Sequence, residues 1–232
     1  PASTSKIFTS ALALKHLGSD YVFENKLSWR KALGGEGAAD LVLVGSGDPT
    51  FGTSAFSVLV DEMIASLQST KTSCVYGSIA FESTDPRWSI RVKPAGWESA
   101  DPAPLDAFGK LSDKSARRTL AAKLRAKGIQ WLETSSAPFA SSSVAAESAV
   151  YRSKPLKTMI QPFMLKSVNS IGEALLRKIG EVKGSRAAAN LHVAGLALLR
   201  EYANANVGKT PVLLNDGSGL SRTSRITANA MV

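Results

Sequence analysis

The sequence predicts an α+β fold on two observations. Apolar residues recur at helical spacing near both ends of the chain, and the middle mixes short β-branched runs with amphipathic stretches. The 232 residues, 44% hydrophobic and 20% charged, suffice to bury a sizeable core in one large domain or two small ones.

Residues 3–17 carry Ile7, Phe8, Ala11, Leu12, Leu14 and Leu17 on a helical period that Gly18 stops. Short strands are predicted at 21–23 and 27–29, before a glycine-rich break at 34–37. Asp40-Leu-Val-Leu-Val44 is too short for a helix and runs into the turn cluster Gly45-Ser-Gly-Asp-Pro49. Helical period returns over 54–67, and 75–81 alternates as a strand. Four prolines (86, 94, 102 and 104) make 85–106 a loop. A basic amphipathic helix follows at 115–127, ended by Gly128, then a strand at 129–132. The Ser/Ala-rich stretch 135–143 is the candidate linker. Helices at about 167–179 and 186–203 and a strand at 212–214 lead into Asp216-Gly-Ser-Gly-Leu220.

Composition excludes several classes. No apolar stretch approaches the roughly 18–20 residues of a bilayer-spanning helix. The single Cys74 precludes an internal disulfide and a cysteine-rich zinc site, and only His16 and His192 stand beside it as soft ligands. A net charge of +9, with a pI near 9.7, favours an anionic partner or surface without identifying one. The chain opens on Pro1 without a leader and stops just after a helix start, so a segment of a longer protein is expected.

Two short motifs carry chemistry. Ser3-Thr-Ser-Lys6 sets a hydroxyl and an amine three residues apart, on one face of a helix start. A lysine there serves as a base only if burial or a neighbouring cation lowers its pKa. Ser28-Trp-Arg-Lys31 repeats the spacing, so spacing alone equally describes an ordinary helix cap. Ser167-Val-Asn169 is the one Ser-x-Asn in the sequence and also lies at a helix start, where capping is again the plainer reading.

Taken together and in order, the motifs resemble a known family. Ser-x-x-Lys with Ser-x-Asn is the pattern of penicillin-binding proteins and related β-lactamases. Residues 1–18, the Asp40–Pro49 run, the helix from Lys166 with its Glu173, and Leu214-Asn-Asp-Gly-Ser-Gly-Leu-Ser-Arg222 are similar to four segments of one family. That family is the D-alanyl-D-alanine carboxypeptidase/endopeptidases, or class C low-molecular-mass penicillin-binding proteins.

The resemblance implies a transpeptidase/β-lactamase-like domain, residues 1–22 with 136–232, interrupted by a mixed α/β insert over 23–135. It implies Ser3 as nucleophile, Lys6 as its base, Ser167 as a proton relay and Asn169 as a holder of substrate amide. Peptidoglycan stem peptides and β-lactams are the implied partners, at the periplasm or outer face of a bacterial envelope, with no cofactor. A non-catalytic wall-binding or scaffold relative is the competing expectation, which the absence of Lys-Thr-Gly suits, whereas a departure at Val168 is expected to be tolerated because Ser167 and Asn169 carry the chemistry. Val168 stands where the family usually has Asp, and no Lys-Thr-Gly follows the Asp216 run. Lys157-Thr-Met159 and Lys209-Thr-Pro211 lack the glycine and precede Asp216. The segment alone is therefore expected to acylate slowly or not at all, and the full-length protein to react through Ser3.

Other motifs reduce to plainer readings. Val207-Gly-Lys-Thr210 lacks the upstream glycine of a phosphate loop, having Ala203 there. The basic helix carries no interleaved aromatics, so it reads as a solvated face and no nucleic-acid partner is expected.

Overall fold

The computed structural model describes residues 1–31, 38–133, 146–207 and 212–230. The chain divides into two compact units: residues 1–22, 85–106 and 154–232, and residues 23–84 and 107–153.

The first unit is mainly helical. A 3₁₀ turn, Ala2–Ser5, leads into α1 (Lys6–Leu17), and α4 (Leu156–Leu165), α5 (Asn169–Lys183) and α6 (Leu191–Asn206) pack around it. Helix α5 is central: every residue from Ile171 to Gly180 is buried. It packs tightly against α6 because Gly180 and Gly195 face carbonyls of the opposing helix. A Cβ on either would come within 2.2 Å of Leu191 O or 2.0 Å of Leu176 O, respectively. Phe8, Leu12, Phe163, Leu175, Leu176 and Leu199 fill the core.

The second unit is a five-stranded mixed sheet in the order β4-β3-β2-β1-β5, formed by β1 (Glu24–Lys31), β2 (Ala38–Gly45), β3 (Cys74–Ser83), β4 (Gln130–Leu132) and β5 (Ala146–Arg152). Strand β1 is antiparallel to both β2 and β5, while β2, β3 and β4 run parallel. The parallel steps are crossovers through α2 (Thr53–Ser69) and α3 (Asp113–Ala126), whose apolar faces bury Phe56, Leu59, Met63, Leu120 and Leu124 against Leu27, Leu41, Leu43 and Val75. Helix α3 starts from a capping box between Ser112 and Ser115.

The α+β class holds, and several details differ. Of the strands expected at 21–23 and 27–29, the second lies within β1, whereas the first precedes it as irregular backbone. Helix α4 went unrecognised because Pro162 lies inside it, and β5 because its apolar content is low. The expected strand at 212–214 is a single bridge, Leu213 to Arg225. The expected linker at 135–143 lies outside the described residues.

The domain boundaries also differ from those expected. Residues 85–106 belong to the helical unit, since the Arg177 guanidinium on α5 donates to the carbonyls of Leu105, Trp88 and Ile90 and lies 4.5 Å from the Trp88 ring centre. Residues 146–153 belong with the sheet, because β5 pairs along β1 from Glu24 to Arg30.

Candidate active site

The four residues singled out by the motifs meet at one point of the helical unit. Ser3 is exposed in the 3₁₀ turn, and Lys6 is buried as the first residue of α1. Their spacing of three brings Lys6 Nζ to 3.0 Å from Ser3 Oγ. Ser167 Oγ lies 2.6 Å from Ser3 Oγ, across 164 positions of sequence. Asn169 opens α5, and its Oδ1 accepts from Lys6 Nζ at 2.8 Å.

Neither serine is a helix cap. The residues flanking these helix starts, Pro1, Ser5 and Val168, make no side-chain cap bond, and both hydroxyls turn toward the cluster. Ser167 has φ +55°, a left-handed conformation that non-glycine residues rarely adopt. Such strain typically costs on the order of 1–3 kcal/mol and persists where surrounding contacts fix it.

A third group completes the surroundings of Lys6. The run from Asp216 forms a buried loop whose Ser218 carbonyl accepts from Lys6 Nζ. Gly217 N–H donates to Glu173 Oε1 at 2.9 Å, and Gly217 O accepts from Thr9 Oγ1 at 2.7 Å. Gly172 and Gly217 allow this loop to lie on α5, since a Cβ on Gly217 would stand 2.5 Å from Gly172 O.

The arrangement dictates what Lys6 can do. An ammonium has three protons, and Ser3 Oγ, Asn169 Oδ1 and Ser218 O take one each. A neutral amine has two. With Asn169 Oδ1 and Ser218 O accepting both, its lone pair faces Ser3 Oγ. Burial pushes the Lys6 pKa below its ordinary value, and the Asp216 and Glu173 carboxylates pull it partly back.

A groove of about 470 Å³ opens beside Ser3, lined by Ala2, Asn169, Gly219, Leu220, Arg222 and Arg225 among others. Sequence reasoning missed Trp97, whose indole N–H donates to Asp216 Oδ2 at 2.8 Å, because nothing in a proline-rich loop marks one tryptophan. His192 lies beside Glu173, Nδ1 to Oε2 3.5 Å. Among the described residues, no group of three His, Cys, Asp or Glu is placed to hold a metal ion.

A helix-borne Ser-x-x-Lys facing a Ser-x-Asn turn, on a helical unit in a chain that also carries a mixed sheet, has the architecture of the penicillin-binding peptidases. The chain belongs to the D-Ala-D-Ala carboxypeptidase 3 (S13) family, whose sequence profile matches residues 1–108 and 89–232.

Relatives agree. A D-alanyl-D-alanine carboxypeptidase of Actinomadura sp. (strain R39) is 42% identical over 67 residues, which are 28% of this chain and 12% of that protein. Penicillin binding protein 4 from Haemophilus influenzae shares the fold at a TM-score of 0.66 and 18% identity, covering 100% of this chain and 68% of that one. A predatory endopeptidase from Bdellovibrio bacteriovorus, solved with its immunity protein, superposes at 0.54 with 20% identity over 94% of this chain and 56% of its own.

Proposed function

We propose that this chain carries the nucleophile of a serine acyl-transfer peptidase that cleaves D-Ala-D-Ala or D-amino-acid crosslinks of peptidoglycan stem peptides. The observation that carries the reading is Lys6 Nζ at 3.0 Å from Ser3 Oγ with Asn169 Oδ1 and Ser218 O accepting from the same amine, which leaves a neutral Lys6 its lone pair toward Ser3. Ser3 Oγ attacks the peptide carbonyl carbon while Lys6 takes its proton. The C–N bond then breaks as Ser167, 2.6 Å from Ser3 Oγ, gives its proton to the leaving amine and regains one from the Lys6 ammonium, which leaves Lys6 neutral again. Asn169 holds an amide group of the substrate, and the Ser3 backbone N–H supplies half of an oxyanion hole. Water hydrolyses the resulting ester and restores Ser3. Family membership supports the substrate class and an extracytoplasmic place, the periplasm or outer envelope face. Penicillin binding protein 4 from Haemophilus influenzae has been solved complexed with a β-lactam, which supports β-lactams as ligands here, and we propose that they acylate Ser3.

The test is mass spectrometry of the protein that carries this chain after treatment with benzylpenicillin. A covalent adduct on the peptide containing Ser3, absent from Ser3→Ala, is the expected result. No adduct in the folded wild-type protein sinks the catalytic reading and favours a wall-binding scaffold.

A further inference from the structure

The acyl-transfer chemistry uses Ser3, Lys6, Ser167 and Asn169, yet the most densely bonded carboxylate nearby is Asp216. It is 1% exposed. Its Oδ1 accepts from Gly219 N–H at 2.8 Å, and its Oδ2 from Ser221 N–H at 2.6 Å and from Trp97 Nε1–H at 2.8 Å. These bonds wrap residues 218–221 around one side chain. Ser218, whose carbonyl accepts from Lys6, lies inside that wrap.

Trp97 belongs to the 85–106 segment, which is fastened to the same loop at further points. Ser221 Oγ donates to Ala95 O at 2.6 Å, and Arg222 N–H donates to Gly96 O at 3.0 Å. At its ends Arg177 holds the carbonyls of Trp88, Ile90 and Leu105. The segment is therefore a strap, pinned to α5 at its ends and to the Asp216 loop at its middle.

We propose that Asp216 is a positioning residue for Lys6, with Trp97 as its anchor: the pair holds the Ser218 carbonyl where it fixes the lysine's proton arrangement toward Ser3. This rests on the acyl-transfer reading for its consequence on rate, but not for its effect on the lysine. The charged groups facing Lys6 are Asp216 from the loop and Glu173 from α5. From α4 comes the Phe163 ring, 5.7 Å away, and from α6 His192 reaches only Glu173. Asp216 also opposes the effect of burial on Lys6, so its removal has a signed consequence.

The experiment pairs two variants. Asp216→Asn keeps the shape and one acceptor oxygen but removes the charge. Trp97→Phe keeps an aromatic ring and the Asp216 charge but removes the indole N–H. Lysine titrations followed by ¹³Cε NMR, with the Lys6 signal assigned from Lys6→Arg, read the first effect. The Lys6 midpoint is expected at lower pH in Asp216→Asn and at the wild-type position in Trp97→Phe. Trp97→Phe is expected to slow benzylpenicillin acylation about tenfold, the worth of one hydrogen bond to a charged acceptor. An unmoved Lys6 midpoint in folded Asp216→Asn overturns the proposal, as does a Trp97→Phe protein that acylates at the wild-type rate. If Asp216→Asn does not fold, the Trp97→Phe rate decides. If the wild-type protein is not acylated at all, the acyl-transfer reading fails and the NMR titration still decides this one.

Discussion

Ser3 Oγ and Ser167 Oγ stand 2.6 Å apart although 164 positions separate them, and Lys6 Nζ also lies 3.0 Å from Ser3 Oγ. In the proposed reaction Ser3 thus has one neighbour to receive its proton and another to hand one to the leaving amine. Two local helix starts build this relay, and only packing of α1 against α5 joins them.

The base role proposed for Lys6 predicts a pH limb and a severe variant. Only the neutral amine accepts a proton, so acylation should rise with pH through a Lys6 midpoint below the ordinary 10.5, as burial lowers it. Lys6→Arg keeps a cation but stays protonated, and should lose about 10²–10⁴-fold in the acylation rate. Stopped-flow acylation from about pH 5 to 10 checks both. A rate independent of pH, or a Lys6→Arg protein within about threefold of wild type, removes lysine from the role.

The backbone of Ser167 predicts a trade between stability and activity. At φ +55° a glycine is unstrained and an alanine is not. Ser167→Gly should therefore be more stable than Ser167→Ala by about 1 kcal/mol, while both lose the hydroxyl proposed as the relay and should acylate slowly. Denaturant melts of the two variants give the difference. Equal stability would mean that the turn carries no strain.

Local patterns were legible and long-range ones were not. Helical spacing marked α1, where Phe8 and Leu12 record the buried face although Ile7 and Leu14 are exposed, and alternation marked β3, because each pattern follows a single element. Ser-x-x-Lys and Ser-x-Asn were legible as residue types, but either could have been a cap until the fold turned both hydroxyls toward each other. The attachment of residues 85–106 was not legible. It depends on Arg177 and Asp216 reaching carbonyls and an indole about 90 or 120 positions away, which leaves no periodic trace. Helix α4 hid behind Pro162, whose missing N–H argues against a helix in any local reading.

The contact of Gly172 with Gly217 predicts a mutation that harms the site without touching its chemistry. A Cβ at Gly172 would stand 2.7 Å from Gly217 O and 2.9 Å from the Phe163 ring, closer than real atoms allow. Gly172→Ala must push the Asp216 loop off α5, breaking the Glu173 to Gly217 bond and moving the Ser218 carbonyl from Lys6. Overpacking of this kind costs about 1–3 kcal/mol. Acylation should fall together with the melting temperature. A variant that melts lower but acylates normally would separate the loop from Lys6.

The last prediction concerns the sheet unit and Asp48 of the Gly45–Pro49 turn. Asp48 is fully buried, and its Oδ1 accepts from Thr50 N–H at 2.8 Å and Thr50 Oγ1 at 2.7 Å. Burial outweighs these bonds and raises its pKa above the ordinary 3.8. A carboxyl with a raised folded pKa holds its proton more tightly folded than unfolded. Stability therefore falls as pH rises from near 3.8 through the raised midpoint, and is level above it. Asp48→Asn keeps the Thr50 acceptor and does not titrate. Its stability relative to wild type should grow across that window and then stay constant. Guanidinium unfolding of both proteins from about pH 3 to 8 measures the difference, and a difference that stays flat or shrinks with rising pH would place the Asp48 charge at ease in its turn.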